Sequence, residues 1–479
     1  MLKIDRHDRK PIWKQLLNQA IHNITSGKWK AGYRLPPTRE FSQQLGVARS
    51  TVQTMYEELF SRGYTVTSRR GGTRVSDWNQ PLLSKEERPA HCLTPPSIPV
   101  LDEAIDRLHD WSGEKMKYTV DIDFSPHEPY LDPLFQKKWR QSFLHASANA
   151  DLSCWTYGNP FGYEPLRCQI QHYLAVERGI HVDIEQILLT SGAQQSIDFI
   201  SQALLIEGDT VAVEDPGFPP AWLTMKYRKM NVMPVPVDEQ GIVVDSIPKQ
   251  AKLVYVTPSH QCATGVIMSA KRRSQLFELA LRNQSWIIED DYDSEFRHSG
   301  EPLPTLFSQE PACTLYMMSF SKMIAPGIRI SAIIGPAKAI AQIARVQNLT
   351  SRHLPIMEQL TLTHFIEHGH FMLHMRRVRN VYRRRHEAMI KAITSSKLGE
   401  VFSVKGVETG LHLLLEAGED FHEEEMTNKA LEIGVRVYPL SPYCLESKRK
   451  GWVLGYSKVD EETIMRGIRQ LSNIISCNA

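Results

Sequence analysis

Between Pro11 and Ser26, apolar residues recur at helical spacing, with Ile12, Leu16, Ala20, Ile21 and Ile24 on one side. Pro11 suits a first turn and Gly27 a stop, so the pattern predicts a helix here. A second, shorter helix is expected from Thr38, read as its N-cap with Glu40 close behind. It ends at Leu45-Gly46-Val47, where glycine permits a tight interhelical turn. A third helix carries Val52, Met55, Tyr56, Leu59 and Phe60 on its apolar side. The segment GYTVTSRRGGTRVS then reads as two short strands joined at Arg70-Gly71-Gly72. Helix, helix–turn–helix and hairpin in that order predict a winged helix-turn-helix over residues 1–76.

From Asp77 the pattern loosens. Pro81, Pro89, Pro95, Pro96 and Pro99 interrupt regular structure, and LDEAIDRLHDW offers one short amphipathic helix. Residues 77–118 are therefore expected to be a semi-stiff linker. Over 119–479, helical stretches alternate with apolar strands such as QILLT, TVAVE, LVYVTPSH and SWIIEDDYDSEF. That alternation predicts an α/β domain with a mainly parallel central sheet and helices on both faces.

Charge separates the same two parts. The 479 residues hold 56 Lys/Arg and 54 Asp/Glu, a net +2 that implies no special partner. Residues 1–76, however, hold 14 Lys/Arg against 5 Asp/Glu, which makes the head +9 and the remainder −7. A recognition helix presents its first side chains to base edges while flanking cations contact phosphates. Arg49, Ser50 and Thr51 open the third helix, Arg34 and Arg39 flank the second, and Arg69, Arg70 and Arg74 sit on the hairpin. Double-stranded DNA is the expected partner of the head; a docking module with a solvated basic face is the alternative. The N-terminus lacks the apolar core of a signal peptide and no stretch has membrane-span length. The seven cysteines show no CxxC spacing, so reduced thiols of a cytoplasmic protein are expected, without a zinc site.

The body's chemistry gathers at strand ends. Ser191-Gly192-Ala193 follows a strand and opens a helix near Gln194, a turn that aims free N–H groups at an anion. Asp290, Asp291 and Tyr292 end another strand; with Asp293 and Glu295 they form either a cation site, a solvated loop or part of a larger constellation. A further strand runs into Ser319, Ser321 and Lys322, with Arg329 seven residues on, and Phe218 stands in EDPGFPP. Pyridoxal 5′-phosphate requires this set: a lysine for the Schiff base, a carboxylate for the pyridine nitrogen, a phosphate grip and a flat side chain over the ring. Lys322, Asp290, Arg329 with Ser319, Ser321 and the Gly192-Ala193-Gln194 turn, and Phe218 fill those roles, and Tyr292 offers a hydroxyl to the ring oxygen. The combination displaces the cation site, and no metal is expected.

SGKWKAGYRLPPTREFSQQLGVARSTV and YEELFSRGY resemble the GntR family of bacterial regulators. EDPGF, TPSHQ, IIEDDYDSEF and SFSKMIAPGIR resemble the fold-type-I aminotransferase domain as it occurs in the MocR/GabR subfamily of that family. The resemblance implies that Lys322 carries the Schiff base, Asp290 pairs with the pyridine nitrogen and Tyr292 binds the phenolic oxygen. It also implies that Arg329 and Ser319 hold the phosphate and that Phe218 stacks where relatives often have Tyr. Ser259 and His260 are implied to lie near the cofactor. YGNPFGYEPLR resembles the segment that aminotransferases send into the neighbouring subunit, so Tyr157 either reaches the partner's phosphate or is a core aromatic near a turn. A homodimer is implied, with head-to-tail exchange through the linker as one arrangement.

An aminotransferase holds its substrate carboxylate with a late arginine. Where that strand resembles GWVLGYSKV this chain has Leu454, and where the GABA-responsive relative carries its arginine, Pro442 and Tyr443 stand. Arg436 is nearby but is expected to point elsewhere. The expected function is thus a DNA-binding transcriptional regulator that binds pyridoxal phosphate and senses it, an amine or an amino acid. The alternative is an active class I aminotransferase with an accessory DNA-binding head. A bacterial, cytoplasmic location, on the nucleoid when DNA-bound, follows from that reading.

Overall fold

The computed structural model describes residues 2–6, 8, 10–68, 72–77, 120–126, 128–299 and 304–478. These form two compact units divided within the stretch between Asp77 and Val120. Arg69, Arg70 and the expected short helix of the linker lie outside the described residues.

In the first unit, α1 (Ile12–Thr25), α2 (Thr38–Leu45) and α3 (Arg49–Ser61) precede β1 (Thr65–Ser68) and β2 (Gly72–Val75). Leu16, Leu17, Ala20, Ile24, Phe41, Val52, Met55 and Leu59 enclose one small core, which Leu35 and Val75 close from the strand side. Gly46 caps α2 in the left-handed region at φ +63, the conformation glycine adopts without a Cβ clash. The hairpin is antiparallel, with Thr65 opposite Val75 and Ser68 opposite Gly72. Two expectations change. Thr38 is the first helical residue rather than the cap, because Pro37 already fixes the entry and no side chain caps the helix. Phe60 is 56% exposed, since the helical turn that buries Leu59 carries its neighbour outward.

In the second unit β3 (Ile122–Asp123) pairs in parallel with Val435–Arg436, and the main sheet has eight strands. In chain order these are β4 (Ile187–Thr190), β5 (Thr210–Asp215), β6 (Asn231–Asp238), β7 (Gly241–Ile242), β8 (Ala251–Val256), β9 (Trp286–Asp291), β10 (Thr314–Ser319) and β11 (Ser331–Ile334). Their spatial order is β4-β11-β10-β9-β8-β5-β6-β7. The pairings from β10 across to β6 are parallel, and the flanking β10/β11, β11/β4 and β6/β7 pairings are antiparallel. Alternate residues of one strand enter different cores, as expected of a sheet covered on both faces. Leu315 and Met317 pack with Ile197, Ile200 and Ile340, whereas Tyr316 and Met318 pack with Ile170, Leu174 and Phe371. A second, four-stranded antiparallel sheet near the C-terminus joins Ser403–Lys405, His412–Ala417, Lys450–Gly455 and Tyr438–Pro439. The mainly parallel central sheet expected from the sequence is thus present, with an antiparallel sheet beside it in the chain's C-terminal part.

Candidate functional site

Parallel strands of an open α/β sheet place their functional groups at carboxyl ends. Here β9 ends in Asp290 and Asp291 with Tyr292 next, β10 ends in Ser319 with Lys322 three residues on, and β4 leads into Gly192. These ends open on one cavity of about 480 Å³. Asp290, Tyr292 and Lys322 line its floor with Ser319 and Ser321, while Ala193, Gln194 and Arg329 line the end where the helix Ala193–Leu204 begins. Phe218, from the turn after β5, and Tyr443 also line the cavity.

The anion end has a specific geometry. Gly192 caps the helix at φ +102, and a β-carbon there would lie 2.5 Å from Arg329 Nη2. Glycine thus lets the guanidinium stand directly at the helix's positive end, an arrangement suited to an anion. Arg329 Nη2 also donates to the Ser191 carbonyl at 2.7 Å. Ser319 Oγ accepts from Ser331 Oγ at 3.0 Å and from the Ser321 amide at 3.2 Å, which leaves its own proton to donate.

Burial sets the electrostatics of the floor. It lowers the Lys322 amine to about 8, so a far larger fraction is neutral and nucleophilic at physiological pH. Burial likewise raises Asp290 to about 7, opposed by the Tyr255 hydroxyl, which donates to Oδ2 at 2.5 Å. An ionised Asp290 at this depth is favoured by a cationic group beside it. Behind the wall, burial raises Glu214 to about 7, although it accepts from Thr257 Oγ1 at 2.6 Å and from Gln261 Nε2 at 3.2 Å.

Asp290, Asp291, Asp293 and Glu295 do not gather into a cation site. Asp290 faces Tyr255, Asp291 pairs with Arg178 and accepts from Tyr316, Asp293 faces His260 and Glu295 accepts from Tyr173. Tyr157 is 83% exposed and lies outside the cavity, with Arg352 5.6 Å over its ring, so it is no core aromatic. His260 stands behind Tyr292, whereas Ser259 lines a separate small pocket with Arg178 and Arg273.

Leu454 lies in the main core, and its neighbour Val453 faces the cavity instead. Arg436 stacks 5.2 Å over Tyr438, as its expected orientation requires. Lys322 and Arg329 are the only Lys or Arg among the described lining residues. Tyr255, Cys262, His412 and Tyr443 also line the cavity. Nothing in their local sequence marks Tyr255 or His412, each one residue within an apolar strand. Asp215 carries no local signal either; its carboxylate accepts the amides of Leu445, Glu446 and Ser447 at 2.8–2.9 Å, fixing the loop that carries Tyr443.

On the head, Arg34, Arg39, Arg49, Ser50 and Arg74 are exposed and Thr51 is half-buried. Arg49 Nε donates to Thr38 Oγ1 at 3.3 Å, linking the first turns of α2 and α3. Arg34 bridges in antiparallel fashion to Arg74, which sets its side chain beside the hairpin at Gly72.

A winged helix-turn-helix accompanied by a cavity of this kind defines a DNA-binding regulator with an aminotransferase-like body. Residues 14–75 match the family model for bacterial regulatory proteins of the gntR family, and residues 130–469 match that for aminotransferase class I and II. The chain is 32% identical to the uncharacterized HTH-type transcriptional regulator YdeL of Bacillus subtilis over 96% of each chain. It is 27% identical to the pyridoxine biosynthesis regulator PdxR of Corynebacterium glutamicum, covering 99% of this chain and 98% of that one. It therefore belongs to the family of HTH-type transcriptional regulators that fuse a gntR-type head to a class I and II aminotransferase domain. A kynurenine aminotransferase of Pyrococcus horikoshii, solved with PMP, has the same fold at TM-score 0.70 and 24% identity, over 83% of this chain and 97% of that one. Pyridoxal 5′-phosphate is the cofactor of this class, and the cavity's amine, carboxylate and phosphate cradle fit it. Among the described residues, no helix is long and apolar enough to cross a membrane.

Proposed function

We propose that this regulator holds pyridoxal 5′-phosphate on Lys322 and changes its DNA binding when an amine without a carboxylate takes the place of that lysine. Bound in the cavity, the cofactor supplies an aldehyde that condenses with primary amines and a ring that withdraws electrons. Lys322 presents the resident amine, Asp290 the counter-charge for the ring nitrogen and Tyr292 a hydroxyl for the ring oxygen. Arg329, Ser319, Ser321 and the Gly192-Ala193-Gln194 turn grip the phosphate, and Phe218 covers the ring.

The observation carrying this reading is that the amine, the carboxylate and the cradle face one cavity in a chain with a DNA-binding head. The choice of amine rests on the lining, where Val453, Tyr443, Pro126 and Pro220 are uncharged and Lys322 and Arg329 are the only Lys or Arg among its described residues. We further place residues 1–76 as the DNA-reading unit, 77–118 as the tether and 119–479 as the sensing body. Two bodies pair as a homodimer in this reading, supported by an exposed apolar group that includes Leu152, Trp155, Tyr157 and Leu349. Tyr157 then reaches the partner's phosphate, and the paired heads read two half-sites on bacterial chromosomal DNA. Differential affinity of the two ligation states couples cavity to head.

The test is a screen of primary amines and amino acids that follows near-visible absorbance and operator affinity together. Amines lacking a carboxylate are expected to change both at lower concentration than matched amino acids. Absorbance changes with unaltered operator affinity overturn the coupling, and steady keto-acid production from amino donors moves the chain to an active aminotransferase.

A further inference from the structure

We propose that Asp293 and His260 form a positioning pair for Tyr292, turning its hydroxyl proton into the cavity, where it donates to the cofactor's ring oxygen and sets the pH at which the bound cofactor ionises. This rests on the cavity taking pyridoxal 5′-phosphate.

His260 meets two neighbours on one nitrogen. Asp293 Oδ2 lies 2.8 Å from Nδ1, and Tyr292 Oη lies 3.2 Å from the same atom. The His260 and Asp293 side chains are 0% and 1% exposed. Among the described residues His260 Nε2 has no hydrogen-bond partner, and Gly265 closes over it, since a β-carbon there would stand 2.9 Å away. A neutral ring therefore keeps its hydrogen on Nδ1, where the carboxylate accepts it, because a buried N–H at Nε2 would go unanswered. With Nδ1 acting as donor, Tyr292 cannot donate to it. Its own proton turns to the cavity, which it lines beside Asp290 and Lys322.

His260, Asp293 and His412 also bring donor atoms within 4.8 Å of one another, an arrangement that could suit a cation. However, His260 spends Nδ1 on Asp293 and turns Nε2 toward glycine backbone, so a central ion has no access to it. The groups facing Tyr292 are Asp293, Cys262, Asp290 and Glu214; Lys322 faces Asp293, and His412 faces His260.

The experiment titrates the near-visible absorbance of the full chain, loaded with pyridoxal 5′-phosphate, against pH. Losing a donor to the ring oxygen disfavours the anionic ring, so the midpoint rises in Tyr292→Phe. His260→Asn is expected to raise it in the same direction, by at least about half a unit, because the freed hydroxyl is no longer aimed. The double variant Tyr292→Phe/His260→Asn is expected to stop at the Tyr292→Phe midpoint. A His260→Asn midpoint equal to wild type, or a full additional shift in the double variant, overturns the pair. Should His260→Asn fail to fold, Asp293→Asn carries the same comparison, since its amide donates to Nδ1 and draws the ring hydrogen to Nε2. A band indifferent to Lys322→Ala overturns the cofactor reading itself, an outcome separate from either midpoint.

Discussion

The Tyr255 hydroxyl donates to Asp290 Oδ2 at 2.5 Å from the neighbouring parallel strand, and both side chains are buried. Burial has already raised Asp290 to about 7, and this donor is the foremost influence opposing it. Tyr255→Phe leaves the carboxylate with less support, so more of it is protonated near neutrality and less can pair with a ring cation. A hydrogen bond to a charged group contributes about 1.5–3 kcal/mol, so cofactor retention is expected to weaken on the order of tenfold or more. The sign with pH follows from the raised value: the ionised form is present above about 7 and lost as pH falls through it. Residual near-visible absorbance after dialysis at several pH values measures this, and retention equal to wild type at every pH contradicts it.

Lys322 gives a second pH dependence, again set by burial. Burial favours its neutral form and lowers it to about 8, and the neutral amine is the nucleophile. Reloading of cofactor-free protein should therefore accelerate as pH rises toward 8 and level off above it. A free lysine, at about 10.4, would keep accelerating for about two further units. Stopped-flow absorbance on mixing with pyridoxal 5′-phosphate distinguishes the two profiles.

The strands that carry Asp290, Lys322 and Gly192 are legible because apolar runs end in polar clusters, and that pattern needs no tertiary information. Tyr255 is not. Within LVYV it reads as one more apolar strand residue, and its role depends on β8 lying beside β9, a pairing no local pattern encodes. His412 is hidden in the same way inside the strand His412–Ala417, as is the four-stranded sheet that brings Val453 to the cavity wall. In the head, Leu16, Ala20 and Ile24 follow the helical period into the core. Phe60 does not, because it lies about 100° round the helix from Leu59, past the edge of the stripe that Val52, Met55, Tyr56 and Leu59 bury.

Gly192 and Arg329 make the proposed phosphate cradle sensitive to a single methyl group. In Gly192→Ala the added carbon meets the guanidinium at 2.5 Å and the backbone must hold φ +102 with a side chain. The strain is of order 1–3 kcal/mol, and relieving it moves either Arg329 or the helix start away from the anion. The variant is expected to keep its fold, by circular dichroism, while binding pyridoxal 5′-phosphate about tenfold or more weakly by absorbance titration. Unchanged affinity would show that the two groups do not grip the phosphate together.

Arg39 and Arg49 are exposed at the start of α2 and α3, where two cations can reach a DNA backbone or a base edge. Each phosphate of B-DNA that a protein cation neutralises adds about 0.9 to the steepness of log affinity against log salt. Arg39→Ala is expected to weaken operator and random-sequence binding alike and to reduce that slope by about one. Arg49→Ala, at the first turn of the recognition helix, is expected to cost about 1–3 kcal/mol on the operator and less on random DNA. Neither change alters the body, so the Lys322-dependent absorbance should remain that of the wild type. Fluorescence anisotropy across a salt series, with the absorbance spectrum taken on the same samples, separates the two effects. Equal slopes in wild type and both variants would remove these arginines from the DNA interface.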